Sequence, residues 1–235
     1  MSAAAQAIKD TVKVCMFDQY GTVVDMQGGL TAVVTPYLKE KGWTGSPNAF
    51  VTWWRRTHFE NSMIDALLHR EHTPYREIGH RSVAHVLDRA GIPYSMDEVR
   101  YLVAQIECLK PFPEVPAALA RLQTRYRIVV SSNGDPDMLE AAKKHHGIRF
   151  DEVISVAAAG SFKPHVATYS KAAKLLDLPK DRVLFVANHA FDCIGAKSAG
   201  MKSAFINRRG RPFGITPHQP DIIIPTMKDL SDAIV

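Results

Sequence analysis

The chain has 235 residues, 46% hydrophobic and 23% charged, the balance of a globular protein large enough to hold one domain with a second inserted in it. The formal charge of +5 is mild and dispersed, which argues against nucleic acid as a partner and suits a small anionic ligand. No apolar run approaches the roughly 20 residues of a membrane span, and the opening MSAAAQAIKD lacks a signal-peptide pattern and reads as a short, frayed lead-in.

In chain order, VKVCMF (12–17) is an apolar, β-branched run that reads as a buried strand. From residue 30 to 107 the pattern is helical. LTAVVTPYLKEKG stops at Gly42, and the stretch 46–69 opens with a Ser-Pro cap. The stretch 74–91 runs from a proline to a glycine, and 95–109 carries Ser95 and Glu98 at capping-box spacing. Strands then alternate with helices. YRIVVSS (126–132), EVISVAA (152–158), RVLFVAN (182–188), KSAFIN (202–207) and DIIIP (221–225) read as strands. DPDMLEAAKKHHG, HVATYSKAAKLLD and FDCIGAKSAG read as the helices between them. This alternation predicts an α/β fold, a doubly wound, Rossmann-like parallel sheet with helices on both faces. The long helical block after strand one reads as an inserted cap of residues 29–107 on a core of 1–28 and 108–235.

Cys15, Cys108 and Cys193 are far apart and odd in number, with neither metal-ligand nor disulfide spacing. Each reads as a small buried hydrophobe in a reducing cytosol, which predicts a cytoplasmic protein. Open parallel sheets bind ligands beyond the carboxyl ends of their strands. Four such ends carry polar residues here: Asp18-Gln19-Tyr20, Ser131-Ser132-Asn133-Gly134, Lys163-Pro164, and Asn188-His189 with Asp192. Taken singly, each has an ordinary reading. Ser-Asn-Gly-Asp is a turn-and-cap signal, a Lys before Pro is solvated, and Asp192 suits the first turn of a helix. The fold brings all four ends together, and the combination is the more specific signal.

FDQYGTVVD, SSNGD, KP and FDCIGAKSAG, in this order, resemble the haloacid dehalogenase superfamily, most nearly its L-2-haloacid dehalogenases. The resemblance covers almost the whole chain. It implies hydrolysis of a small anionic 2-haloacid to a 2-hydroxy acid and halide, with Asp18 as nucleophile. Thr22 would hydrogen-bond near Asp18, Lys163 would keep it ionised, and Tyr169 follows Lys163 at the family's spacing. Ser132 would hold the substrate carboxylate, with Asn133 supporting its loop. In WWRRTHFEN, Arg55 matches the family arginine and would accept the halide, with Phe59 and Glu60 following. Gln19, Tyr20, Phe59 and Phe191 would contact substrate. Phosphatase relatives carry a second acid where Tyr20 stands and paired acids near the fourth motif, where VANHAFD supplies only Asp192. A magnesium site is therefore poorly furnished, and no metal or cofactor is expected. His189 replaces an asparagine of the commoner pattern, and Phe191 a tryptophan. Asp192 and His189 both stand as candidates for activating water. A magnesium-dependent phosphatase or phosphonatase and a non-catalytic binding relative are the competing readings. Related enzymes are often dimers, so a homodimer is the expectation the resemblance carries, while residue patterns leave the oligomeric state open.

Overall fold

A computed structural model describes residues 3–68 and 71–235. Its centre is a six-stranded parallel sheet in the order β3-β2-β1-β4-β5-β6. The strands are β1 (Val14–Phe17), β2 (Arg127–Ser132), β3 (Glu152–Ser155), β4 (Val183–Ala187), β5 (Lys202–Ile206) and β6 (Ile222–Ile224). Strand β1 is apolar throughout because both its faces are covered. Cys15 and Phe17 join the hydrophobic core on one face, and Val14 and Met16 the core on the other. Chain order reverses on the two sides of β1, so the carboxyl ends of β1, β2 and β4 open onto one crevice.

Between β1 and β2 lie α2 (Met26–Glu40), α3 (Pro47–Leu67), α4 (Tyr75–Arg89) and α5 (Met96–Ala104), preceded in the chain by α1 (Ala3–Thr11). After β2 come α7 (Pro136–His146), α8 (Val166–Leu175), α9 (Ala190–Ser198) and α10 (Met227–Ile234), and α6 (Val115–Leu122) precedes β2. No helix among the described residues is long and apolar enough to cross a membrane.

The expected caps form. Ser46 accepts a hydrogen bond from Ala49 N ahead of Pro47, and Ser95 and Glu98 close a reciprocal capping box. Helix α4 starts differently. Its first turn has no side-chain cap of its own; instead Tyr75 N and Arg76 N donate to the two carboxylate oxygens of Asp135, at 2.9 and 3.0 Å. A residue that follows β2 thus satisfies the open donors of a helix inserted before it, docking the helical block on the sheet.

Several expectations are corrected. The lead-in is not frayed: residues 3–11 form α1, whose Ala5 and Ile8 are buried in the core; Met1 and Ser2 lie outside the described residues. Helix α2 begins at Met26, because Asp25 accepts from Gly28 N and caps it. The stretch that read as strand to residue 158 ends at Ser155, whose hydroxyl accepts from Ala157 N and turns the chain into a short 3₁₀ segment, Val156–Ala159. Helices α6 and α10 were not anticipated. The third-helix reading ran to His69, which lies outside the described residues. Cys15 and Cys193 are buried, but Cys108 is exposed, with its Sγ 3.8 Å from His145 Nε2.

His58 of α3 is buried and stacks on the Tyr75 ring at 3.9 Å. Its Nε2–H donates to Tyr75 O at 3.0 Å, which leaves Nδ1 unprotonated and without a protein partner. Burial pushes its pKa down to about 4. Above pH 6.5 the ring is neutral in both folded and unfolded chains and adds no pH dependence. Below that the unfolded chain binds the proton first, so stability falls as pH drops toward 4, by roughly 3 kcal/mol in all. Chemical denaturation at pH 7 and pH 4.5 should show this loss, and His58→Gln should lose less stability across the same interval.

Candidate active site

Asp18 extends β1 by one residue, its N–H donating to Val186 O of β4 at 3.0 Å. The residue is 7% exposed. Thr22 Oγ1 donates to Asp18 Oδ2 at 2.8 Å, and Lys163 Nζ to Oδ1 at 2.9 Å. The same ammonium donates to Asp192 Oδ2 at 2.7 Å, and Tyr169 OH to Asp192 Oδ1 at 2.6 Å. Lys163 therefore lies between two buried carboxylates. Burial alone would raise the pKa of Asp18, but Lys163 and His189 more than offset it and hold the carboxyl well below its usual range. Burial would lower the pKa of Lys163, and the two carboxylates raise it instead. Asp192 is held above its ordinary value by burial, with Lys163 opposing and the charge of Asp18 reinforcing.

The loop after Asp18 is pinned by Asn188, whose N–H donates to Thr22 Oγ1 at 2.9 Å and whose side chain donates to Gly21 O at 3.0 Å. Gly21 has φ +90, and a Cβ there would meet His189 Cε1 at 3.0 Å and Arg55 Nη2 at 3.2 Å. Glycine is thus required both by the turn and by the two side chains that close over it.

Above this floor is a cavity of about 620 Å³, walled by Asp18, Tyr20, Arg55, Phe59, Tyr75, Asn133, Asn188, His189 and Phe191 among others. Phe59 and Phe191 meet with ring centres 4.1 Å apart, and Tyr20 stacks on Tyr75 at 5.9 Å. Arg55 reaches in from α3. Gln27 Oε1 accepts from its Nη1 at 2.8 Å, and Gln27 is itself held by Asn48 O and Thr52 Oγ1. Burial lowers the pKa of Arg55, and the charge of Arg209 adds to this; a guanidinium nonetheless stays protonated.

His189 joins the two ends of the site. Its Nδ1 lies 3.4 Å from Asp18 Oδ2, and its Nε2 lies 3.4 Å from Arg55 Nη2. Both are long approaches rather than tight hydrogen bonds. Arginine only donates, so Nε2 is assigned as the acceptor and the proton of the neutral ring goes to Nδ1, facing Asp18.

The residues singled out from sequence thus fall into two tiers. Asp18, Tyr20, Arg55, Phe59, Asn133, His189 and Phe191 border the cavity, while Thr22, Lys163, Tyr169 and Asp192 support Asp18 from below. Gln19 and Ser132 border no part of it. The buried Gln19 turns the chain through its backbone carbonyl, which accepts from Val23 N and Val24 N. Ser132 is fully buried and its Oγ accepts from Gly134 N at 3.2 Å, so Asn133 occupies the wall instead. Asn133 also accepts from Lys163 N through Oδ1 at 3.1 Å. Glu60 does not border the cavity and pairs with Arg56 at the surface. Tyr75 and Gln27 belong to the site and were not anticipated, whereas Asn188 is one of the polar strand-end residues singled out from sequence.

The haloacid dehalogenase-like hydrolase family model matches residues 12–200. The haloacetate dehalogenase H-2 of Moraxella sp. (strain B) is 27% identical, with 95% of this chain and 96% of that protein aligned. The (S)-2-haloacid dehalogenase of Xanthobacter autotrophicus is 31% identical over 84% of this chain and 76% of its own. A structure of L-2-haloacid dehalogenase from X. autotrophicus with chloropropionic acid covalently bound superposes with a TM-score of 0.83 at 27% identity, covering 95% of this chain and 98% of that one. With a family model spanning most of the sheet and all of the inserted helices, the chain belongs to the haloacid dehalogenase-like hydrolases.

Proposed function

We propose that this protein hydrolyses the carbon–halogen bond of short 2-haloalkanoic acids, L-2-haloacids and haloacetates, to 2-hydroxy acids through an ester on Asp18. The observation that carries this reading is a buried carboxylate, kept ionised by Lys163, facing an apolar-walled cavity that also holds a positioned guanidinium. An Asp18 oxygen attacks C2 of the substrate, the carbon–halogen bond breaks, and the halide leaves with its charge stabilised by Arg55. Phe59, Phe191, Tyr20 and Tyr75 exclude water from the displacement and so strengthen the electrostatic contacts. Water then attacks the Asp18 ester carbonyl and releases the hydroxy acid.

Both oxygens of Asp192 are engaged, by Lys163 and Tyr169, and the residue is fully buried. It is poorly placed either to take a proton from water or to ligate magnesium. His189 borders the cavity beside Asp18, and we assign it the water. Within the same proposal, residues 29–107 act as a helical cap on the core of 1–28 and 108–235, and the protein works as a cytoplasmic homodimer.

The test is halide release from L- and D-2-chloropropionate, chloroacetate and fluoroacetate. Release from L-2-chloropropionate is expected, and none from any of the four would defeat the proposal. In His189→Asn, hydrolysis of the ester should slow by about 10²–10⁴-fold. Halide should then appear as a single burst, with a covalent adduct on the peptide carrying Asp18. Wild-type turnover in this variant would return the water to another residue.

A further inference from the structure

Five arginines border the cavity, Arg55, Arg56, Arg208, Arg209 and Arg211, against two carboxylates, Asp18 and Asp25. Three of the five are engaged. Arg56 pairs with Glu60, and Arg55 is held by Gln27. Arg208 pairs with Glu114, lies 3.9 Å over the Phe112 ring and donates to Thr22 O at 3.1 Å. Arg209 and Arg211 are exposed at the mouth, and no carboxylate among the described residues comes within ion-pair distance of either. One turn carries both: Gly210 has φ +59 and donates its N–H to Asn207 O at 3.2 Å, while Arg211 N–H donates to Asn207 Oδ1 at 3.0 Å.

A 2-haloalkanoate brings one carboxylate and one halide to the site. Arg55 receives the halide, and the Asn133 side-chain amide on the cavity wall, whose Oδ1 alone is engaged among the described residues, together with backbone N–H groups after Asp18 receives the C1 carboxylate, which leaves this exposed pair of guanidiniums over. The cavity volume of about 620 Å³ also falls in the range typical of drug-sized ligands, whereas chloroacetate has only a handful of heavy atoms.

We propose that the site accepts 2-halodicarboxylic acids, with Arg209 and Arg211 binding the second carboxylate at the cavity mouth. The inference rests on the dehalogenase reading and extends its substrate class. Arginine suits the task, since its planar fork pairs with carboxylate through two parallel hydrogen bonds. The chemistry is that of the shorter acids. For 2-chlorosuccinate, Asp18 displaces chloride from C2 to form the ester. Water hydrolyses the ester at the Asp18 carbonyl, one proton passing to His189 and on to solvent, and the product is the 2-hydroxydicarboxylate with regenerated Asp18.

The experiment compares kcat/KM for 2-chlorosuccinate and 2-chlorobutyrate, which have the same number of carbons, in the wild type, the Arg209→Ala/Arg211→Ala variant and the Arg209→Lys/Arg211→Lys variant. The quantity read is the ratio of the diacid value to the monoacid value. The wild-type ratio is expected to exceed one and to fall by roughly 10- to 100-fold in the alanine variant, the size of a lost charge-assisted contact. The lysine variant keeps the charge and loses the fork, and should recover the ratio only in part. A ratio that is unchanged by both variants overturns the inference. So does a drop in the alanine variant that lysine restores fully and that disappears at high salt, because this is long-range steering rather than binding. Halide from 2-chlorobutyrate with none from 2-chlorosuccinate defeats the diacid proposal and leaves the dehalogenase reading standing. No halide from either substrate, or from L-2-chloropropionate, defeats both.

Discussion

Asp18→Asn should lower halide release by roughly 10⁴-fold or more, as removal of a catalytic nucleophile does elsewhere. The amide keeps the shape of the carboxylate and can still accept from Thr22 Oγ1, so the circular dichroism spectrum should be unchanged. What disappears is the negative charge that Lys163 and His189 hold in place. The check is steady-state chloride release with a mass measurement proving that the variant has remained asparagine. Activity near the wild-type rate in verified protein would remove Asp18 from the chemistry.

Lys163→Met should have the second-largest effect, on stability as well as rate. The ammonium is 2% exposed at the side chain and touches both Asp18 and Asp192. Methionine fills similar volume but leaves two carboxylates buried without a cation. Breaking a buried pair in this way costs about 3–5 kcal/mol, a drop in melting temperature of roughly 10 °C for a chain of this size. Turnover should fall by about 10²–10⁴-fold, since the nucleophile loses the charge that keeps it ionised. The pH dependence follows from the directions of the shifts. In the wild type Asp18 is depressed, so its contribution to stability is present above the ordinary carboxylate pKa and is lost as pH falls through the depressed value. Without Lys163 the uncompensated burial raises both acids, and their penalty grows as pH rises. The gap between variant and wild type should therefore narrow from pH 7 to pH 5. Adding Asp192→Asn to Lys163→Met should recover part of the loss, which thermal melts of the wild type, the two single variants and the double variant would measure.

The parallel sheet and the tier of residues around Asp18 were legible because they lie at strand ends. A buried four-residue strand such as Val14–Phe17 is apolar on both faces, and the polar residue that ends it stands out. The order of the motifs then places Asp18, Lys163 and Asp192 in one crevice without any knowledge of distances. Other contacts had no such local signal. Gln27 holds Arg55 across two helices, and Asp135 caps α4 from sixty residues further along the chain. Tyr75 reaches the cavity only because α4 starts where Asp135 fixes it, so nothing in its neighbours marks it. The missed α1 shows the same limit. Its alanines and short length suggest fraying, and it is the burial of Ala5 and Ile8 in the core that makes it a helix. Ser131 and Ser132 end strand β2 as the sequence pattern suggests, and the Ser132 hydroxyl accepts from Gly134 N while Asn133 borders the cavity, a division of roles that the residue types alone do not mark.

The most direct measurement of the central claim is a single turnover in H₂¹⁸O with enzyme in excess over L-2-chloropropionate. If Asp18 attacks carbon and water attacks the resulting ester carbonyl, the lactate formed in the first turnover carries unlabelled oxygen from Asp18. The heavy isotope then appears in the peptide containing Asp18, and only later turnovers yield labelled lactate. Labelled lactate from the first turnover, with Asp18 unlabelled, would mean that water attacks the substrate directly and would contradict the ester mechanism.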